Sequence, residues 1–212
     1  MLIQITPPSM DPINLQEAKA HLRQTSQAED VYISGLIQSA TGRVELFTSR
    51  ALLTQTWDLW FDCQDLYQYS YNYEGQYRFG NSPWDYSTKP IIVPKGQLQS
   101  VSYIYTYDIN DTQAVFDAAN YYVDTSSTPG RIWMKLNKKL PSNLRPYNSF
   151  VIRFIAGWTD PALIPEQLRT GVRLLVSHMF ENREPTSEIP IGISDVLFPW
   201  KLMTTSRNYA GW

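Results

Sequence analysis

The residues with the reactivity for catalysis or metal binding are few in this 212-residue chain: His21, His178 and Cys63. Each histidine lies in a stretch with helical periodicity, and neither has a second histidine or a cysteine at metal-ligand spacing. A lone helical histidine is more often a surface or core residue than a ligand. Nothing near Cys63 in the sequence is typical of an activated thiolate, so a half-buried residue at a strand end is the favoured interpretation.

Carboxylates and glycines also give no constellation for catalysis. The spacing of the aspartates in the middle of the chain does not match a calcium-binding loop, and turns use aspartate for their own hydrogen bonds. These residues are Asp108, Asp111, Asp117 and Asp124. The 10 glycines form neither a phosphate-binding loop nor a G-x-S-x-G elbow. We therefore predict that the protein is not an enzyme and uses no metal and no cofactor.

A tyrosine-rich segment, residues 66–86, is the first feature that indicates binding. Alternate residues of a strand share one face, so four of its tyrosines would form a row: Tyr67, Tyr69, Tyr71 and Tyr73. With Trp84, this row is a candidate contact surface for another protein, because tyrosine and tryptophan bury much area and keep a polar group. Tyrosines that merely pack on their own sheet, or a sugar-binding platform, are the alternatives.

The C-terminal segment, residues 201–212, is the second such feature. It has two cations, no acid and three large apolar groups, and its candidate partner-binding residues are Lys201, Met203, Arg207, Tyr209 and Trp212. A short terminal segment does not fold alone. Large side chains there indicate docking on a partner, and a simple disordered end is the alternative.

Helical signals flank the tyrosine-rich segment and must position these features. Asn14 followed by Glu17 has the spacing of a capping box and predicts a helix over residues 15–23. A second helix is expected from Glu29 and Asp30, since carboxylates favour the positive end of a helix. Apolar residues three and four apart give this helix one buried stripe: Ile33, Leu36, Ile37, Ala40, Val44 and Phe47.

Two further helices are predicted near the C-terminus. Pro165 suits a first helical position, and the helix should end near Asn182, ahead of Pro185. Its buried stripe is Leu168, Val172, Leu175, Val176, Met179 and Phe180. A short helix is expected over residues 193–198.

Strand signals occupy the middle of the chain. Residues 53–62, 91–93, 100–107, 121–124, 131–134 and 150–156 read as strands separated by turn residues. No helix alternates with them, so the sheet should be antiparallel. The predicted fold class is α+β, a small helical bundle with an inserted antiparallel β module. We expect residues 1–50 and 160–200 to form the helical core, 51–159 the β module and 201–212 an extended tail.

Composition and charge limit the classes of partner and the location that we expect for the protein. The net charge of -2 gives no basic footprint for nucleic-acid recognition. A single cysteine allows no disulfide within the chain. No apolar run approaches the ~18 residues of a membrane span, and the first residues lack a secretory signal. Aromatic residues make up 14% of the chain, which suits either a contact surface or a β-rich domain.

Several strings, in this order, resemble a widespread family of tailed-phage head–tail connector (adaptor) proteins. The similarity covers residues 3 to about 200, lies in the number and order of the strings, and includes no catalytic signature. The strings are residues 5–8, 15–23, 49–57, 99–101, 129–132, 154–158, 178–183 and 190–192. Residues 64–86 are longer than this family's pattern, and residues after Trp200 do not align with it.

This resemblance implies a structural subunit of a ring, usually of twelve copies, between the portal and the tail-side neck proteins. The helices would form the ring, the C-terminal tail would reach the portal, and a stopper or tail-completion protein would bind the other side. DNA would pass through the lumen without sequence-specific binding. The implied location is the virion neck, and the host cytoplasm during assembly. A tail-associated carbohydrate- or receptor-binding β module that uses the tyrosine row is the alternative function.

Overall fold

A computed structural model describes residues 1–62, 90–135, 138, 140–182 and 189–202. The described residues form an α+β fold of four helices and two antiparallel sheets, as predicted. The helices are α1 (Leu15–Leu22), α2 (Asp30–Thr48), α3 (Glu166–Glu181) and α4 (Ile191–Leu197). The strands are β1 (Leu2–Thr6), β2 (Gln55–Phe61), β3 (Ile91–Val93), β4 (Leu98–Tyr107), β5 (Gln113–Val115), β6 (Tyr121–Asp124), β7 (Gly130–Met134) and β8 (Phe150–Ala156).

The helix ends follow the predicted signals. Asn14 accepts the Glu17 N–H at 2.8 Å while the Glu17 carboxylate accepts the Asn14 N–H at 3.0 Å, so the capping box is confirmed. Helix α2 begins at Asp30, and Pro165 immediately precedes α3. Helix α4 begins two residues earlier than predicted, directly after Pro190, and a 3-10 turn, Phe198–Trp200, continues it.

The N- and C-terminal helices share one hydrophobic core. Helix α2 packs mainly against α3, and α1 and α4 cover the sides of this pair. The predicted stripes are confirmed as buried or packed against the core. Gly171 of α3 allows the closest approach, because an added Cβ would lie 2.4 Å from a Leu197 methyl carbon of α4.

The strands form two sheets. The larger has the order β1-β2-β8-β4-β5, and the smaller has the order β3-β7-β6; every pairing is antiparallel. The sequence analysis assigned no strand to β1 or β5. Both are edge strands whose residues are largely exposed, so they lack the apolar alternation from which strands were predicted.

Strand β2 is covered on both faces of the larger sheet. Its odd-numbered residues face the sheet's hydrophobic core, whereas Asp58, 5% exposed, faces the other side. There Asp58 accepts two hydrogen bonds from the guanidinium of Arg153 on β8, at 2.7 and 2.6 Å. A bidentate pair of this kind satisfies a buried carboxylate and fixes the register of the two central strands.

The chain segment between α2 and β2 joins the two hydrophobic cores. Leu52 and Leu53 belong to the helical core, while Ala51 belongs to the sheet core. Residues 2–6, which the predicted division groups with the helices, pair with β2 in the sheet. The division into helical core, β module and tail stays a prediction. No helix of the described residues is long and apolar enough to span a membrane.

Replacing Gly171 by valine should test the packing of α4 on α3. The added methyl groups would force Leu197 and α4 away from α3, so we expect the free energy of unfolding to fall by about 1–3 kcal/mol in urea unfolding. Gly42→Ala is the matched control, because an added Cβ there meets nothing within 4 Å. It should raise stability by roughly 0.5–1 kcal/mol, since a helical glycine is less favourable than alanine. Equal effects of the two variants would contradict the packing.

Candidate functional site

The predicted binding residues divide sharply by location. Lys201 lies within the described residues, at the root of the C-terminal tail. The remaining predicted residues lie outside the described part of the chain: Met203, Arg207, Tyr209 and Trp212 of the tail, and Tyr67, Tyr69, Tyr71, Tyr73 and Trp84 of the tyrosine-rich segment. Their roles stay predictions, and the structure shows where each segment begins.

The root of the tail is held against the C-terminal end of α2. Arg50 Nε donates to the Trp200 carbonyl oxygen at 2.5 Å, and the guanidinium carbon lies 5.8 Å from the centroid of the Trp200 ring. The Leu202 N–H donates to the Thr48 carbonyl at 2.9 Å. Lys201 Nζ lies 4.9 Å from the centroid of the Phe47 ring. We name this group (Phe47, Thr48, Arg50, Trp200, Lys201 and Leu202) the C-terminal anchor.

Arg50 is the central residue of this anchor and is only 9% exposed. Burial lowers its pKa from the usual arginine value. Gly96, at φ 81°, leaves room for its side chain, because a Cβ there would lie 3.0 Å from Arg50 Cγ. The Ala51 N–H donates to the Lys95 carbonyl at 2.9 Å, which holds the loop of Gly96 beside Arg50. No local sequence pattern predicts this contact, since 150 residues separate Arg50 from Trp200.

A buried polar junction lies one turn further back on α2. Glu45 Oε1 accepts the Leu52 N–H at 2.7 Å and Gln55 Nε2 at 2.6 Å. Gln55 Oε1 in turn accepts Gln4 Nε2 at 2.8 Å. Burial raises the pKa of Glu45, although these hydrogen bonds and the charge of Lys95 oppose the shift. The carboxylate therefore connects α2, β2 and β1, and its hydrogen bonds are structural.

The larger sheet carries an aromatic and cationic surface opposite its hydrophobic core. We name it the outer face; its residues are Asp58, Trp60, Tyr103, Tyr105, Tyr107, Val151 and Arg153. Trp60 stacks on Tyr107 with ring centroids 5.6 Å apart, and the Arg153 guanidinium lies 5.0 Å from the Tyr103 centroid. The Trp60 ring is therefore covered although it lies on the side of the sheet opposite the hydrophobic core. A second tyrosine row with the same period-two spacing lies on this face: Tyr103, Tyr105 and Tyr107. It was not among the predicted contact residues, although its spacing is visible in the sequence.

The described residues that precede the tyrosine-rich segment end at Asp62, beside this outer face. The Asp62 carboxylate accepts the Asn148 N–H at 2.6 Å, and the Asn148 carbonyl accepts Arg145 Nε at 3.0 Å. The Arg145 guanidinium lies 4.3 Å from the Tyr107 centroid. These contacts fix the last described residue before the segment relative to the outer face.

Among the remaining candidates for chemistry, His178 and the aspartates have structural partners, whereas Cys63 lies outside the described residues. His178 Nδ1 lies 3.2 Å from Asn182 Nδ2, and His21 is exposed. Among the described residues, no three histidine, cysteine, aspartate or glutamate side chains are grouped to hold a metal. The predicted turn roles hold for the aspartates: Asp108 accepts the Asn110 and Thr112 N–H groups, and Asp124 accepts hydrogen bonds from Ser126, Ser127 and Arg131. These hydrogen bonds lower the pKa of both carboxyls.

Comparisons with known proteins give a fold and no family. No protein-family model matches the chain, and no curated protein matches it significantly. Its fold is similar to that of a chain in the neck of an empty gene transfer agent particle computed with C6 symmetry, with a TM-score of 0.70 and 20% identity. It is also similar to chains in the virion of the native gene transfer agent particle (0.69, 20%) and in the neck of the native particle computed with C12 symmetry (0.65, 19%). Each similarity covers 98% of both chains.

Arg50→Lys should loosen the C-terminal anchor. Lysine keeps the charge but loses the Nε donor and the planar group over Trp200. We expect faster hydrogen exchange at the Leu202 amide, measured by mass spectrometry of C-terminal peptides. The amide of Gln24, which bonds Lys19 in the α1 cap, is the internal control and should exchange at its original rate. Unchanged exchange at Leu202 would mean that Arg50 does not hold the anchor.

Glu45→Gln should alter the pH dependence of stability. Because the pKa of Glu45 is raised on folding, the folded chain binds a proton more readily than the unfolded chain. The wild type therefore loses stability as pH rises from the ordinary glutamate range through the raised pKa. Glutamine keeps an acceptor oxygen and does not titrate. In urea unfolding from pH 4 to 7.5, the stability of the variant relative to wild type should increase with pH and then level off. Parallel profiles would contradict this.

Proposed function

We propose that this protein is a structural subunit of the neck of a tailed-phage-like particle, assembled as a ring. The observation that carries the proposal is the similarity in fold, over 98% of both chains, to neck chains of gene transfer agent particles. Those necks were computed with C6 and C12 symmetry, which is the closed symmetry of a ring.

The described residues support a structural role in a specific way. Their carboxylates and cations are used to hold elements together, as in the Asp58–Arg153 pair and the Glu45 junction. The C-terminal anchor fixes where a further segment leaves the fold. A fold of this kind presents segments to neighbours, and the groups that form a reaction centre, a nucleophile with its base and oxyanion donors, are not assembled in the described part.

The finer role that we propose is that of a connector ring of twelve copies between the portal and a tail-side stopper or tail-completion protein. DNA would pass through the lumen. The net charge of -2 fits such a channel, because many phosphate contacts would hold the DNA.

The C-terminal tail is the segment that we propose contacts the portal. Lys201 is used within the anchor, where its ammonium lies over Phe47. Lys201 is exposed and remains a proposed portal contact, together with the residues beyond the anchor: Met203, Arg207, Tyr209 and Trp212. We propose that the tyrosine row and Trp84 contact a neighbouring subunit or the tail side. The alternative carbohydrate- or receptor-binding module rests on that row alone and gives the helical core no role.

Purified protein added to portal-bearing heads should give a ring of density below the portal with the portal's rotational symmetry, seen by cryo-electron microscopy. The variant that ends at Leu202 keeps the anchor and loses the tail, so it should remain folded but dock on the portal at least about tenfold more weakly, a loss of about 1.4 kcal/mol.

Two controls separate folding from docking. Circular dichroism and urea unfolding of the truncated chain should match those of the full chain, because the described contacts of the anchor end at Leu202. A glycan array gives the test of the alternative function. Heads without added density at saturating full-length protein would refute the connector role, whereas equal docking of both chains would refute only the role of the tail.

A further inference from the structure

Within the described residues, the larger sheet has no further strand beyond either of its two edges, which lie on opposite sides of it. Its strand order places β1 at one edge and β5 at the other. All pairings between them are antiparallel, so β1 and β5 run in the same direction. Neither strand contains a charged side chain. Natural sheets often protect edges with charges, prolines or covering elements, and the absence of charge on β1 and β5 leaves both compatible with pairing to another strand.

The free backbone groups of β1 can be located from its pairing. Met1 and Trp60 exchange two hydrogen bonds, N to O at 2.7 and 2.8 Å. Bonded pairs recur every second residue in an antiparallel ladder, so Ile3 also bonds towards β2. The N–H and C=O groups of Leu2 and Gln4 therefore point to the open edge. The side chain of Ile3, opposite Asp58, lies on the outer face and is 37% exposed.

Strand β5 presents the complementary arrangement. The Phe116 N–H donates to the Ile104 carbonyl oxygen at 2.8 Å, and the Asp108 N–H donates to the Thr112 carbonyl oxygen at 3.1 Å. The same alternation leaves the N–H and C=O groups of Gln113 and Val115 at the open edge. Here, however, the residue with free backbone groups has its side chain on the outer face. Val115 lies opposite Tyr105 and is 66% exposed.

We propose that β5 of one copy pairs in parallel with β1 of the next copy, with Val115 opposite Ile3, so that the larger sheet continues from subunit to subunit. The proposal rests on the proposed ring, because it names the contact between adjacent copies. In a parallel pair, the N–H and C=O groups of one residue bond the residues just before and just after the residue opposite it. With Val115 opposite Ile3, the Val115 N–H donates to the Leu2 carbonyl and the Gln4 N–H donates to the Val115 carbonyl. The Leu2 N–H donates to the Gln113 carbonyl.

Two features of the strands agree with this pairing, and both follow from the odd number of antiparallel strands in the sheet. The directions of β1 and β5 match, so a neighbouring copy can continue the sheet without reversal. Their faces match, because Ile3 and Val115 both project from the outer face. An antiparallel pairing of β1 with β5 would instead join the outer face of one copy to the core face of the next.

Cysteine cross-linking in the assembled neck tests the pairing directly. In a Cys63→Ser background, Ile3→Cys with Val115→Cys places two thiols on one face of adjacent strands, which lie about 4.8 Å apart and within disulfide range. After oxidation of rings on portal-bearing heads, non-reducing electrophoresis should show a ladder of covalent multimers. The matched control is Ile3→Cys with Ala114→Cys, whose side chains would project from opposite faces and should give little cross-linking.

Charge at the edge gives a second readout that does not depend on thiols. Val115→Lys should weaken binding to heads at least about tenfold, because a lysine on an edge strand opposes pairing. Val123→Lys is the control, since Val123 is also an exposed valine (37%, against 66% for Val115) on an edge strand, β6 of the smaller sheet. Both variants should unfold like wild type in urea.

The outcomes separate this contact from the ring itself. Ring formation by the wild type, with no cross-link in the Ile3→Cys/Val115→Cys variant and no loss of binding in Val115→Lys, would overturn the strand pairing and leave the connector role standing. Wild-type protein that forms no ring on portal-bearing heads would overturn both. Covalent dimers without higher multimers would also overturn it, because a head-to-tail contact propagates.

Discussion

The connection between α2 and β2 is the constraint on which the rest of the structure depends. Within a few residues the chain contributes Leu52 and Leu53 to the helical core and Ala51 to the sheet core. Each of these three side chains is at most 2% exposed. Because all are buried so close together, the helices and the larger sheet cannot move apart here without exposing apolar surface from both cores.

Polar groups around this connection extend its influence to both ends of the chain. Glu45 bonds the Leu52 N–H and reaches Gln4 of β1 through Gln55. Arg50 bonds the Trp200 carbonyl and so fixes the start of the C-terminal tail. Buried ionisable groups are costly unless satisfied, and here the cost is offset by contacts that locate β1 and the tail. An edge strand and an exit point are the features that a subunit needs to meet neighbours in a defined geometry.

The sequence predicted the elements that have a buried face and missed those that have none. Helix α2 was correctly placed because residues such as Ile33, Ile37 and Val44 recur at helical spacing. Strands β1 and β5 were missed because an exposed edge strand needs no apolar alternation. The contact of Arg50 with Trp200 depends on the packing of α4 and could not be read locally. The ring was expected from the resemblance to connector proteins. The edge strands of the larger sheet could be identified only from the order of its strands in the folded chain.

The alternation of bonded and free backbone groups along the two edge strands of the larger sheet limits how copies can associate. Residues of β1 with free backbone groups have side chains on the core face, so two copies of β1 could also pair antiparallel about a two-fold axis. Such a contact is isologous: it closes at a dimer and leaves both β5 edges open. Pairing β5 with β1 uses one edge of each kind per contact, so every copy has the same two neighbours and no edge remains unpaired after closure. Among contacts between these two edges, only this one pairs both edges of every copy and can close into the proposed ring.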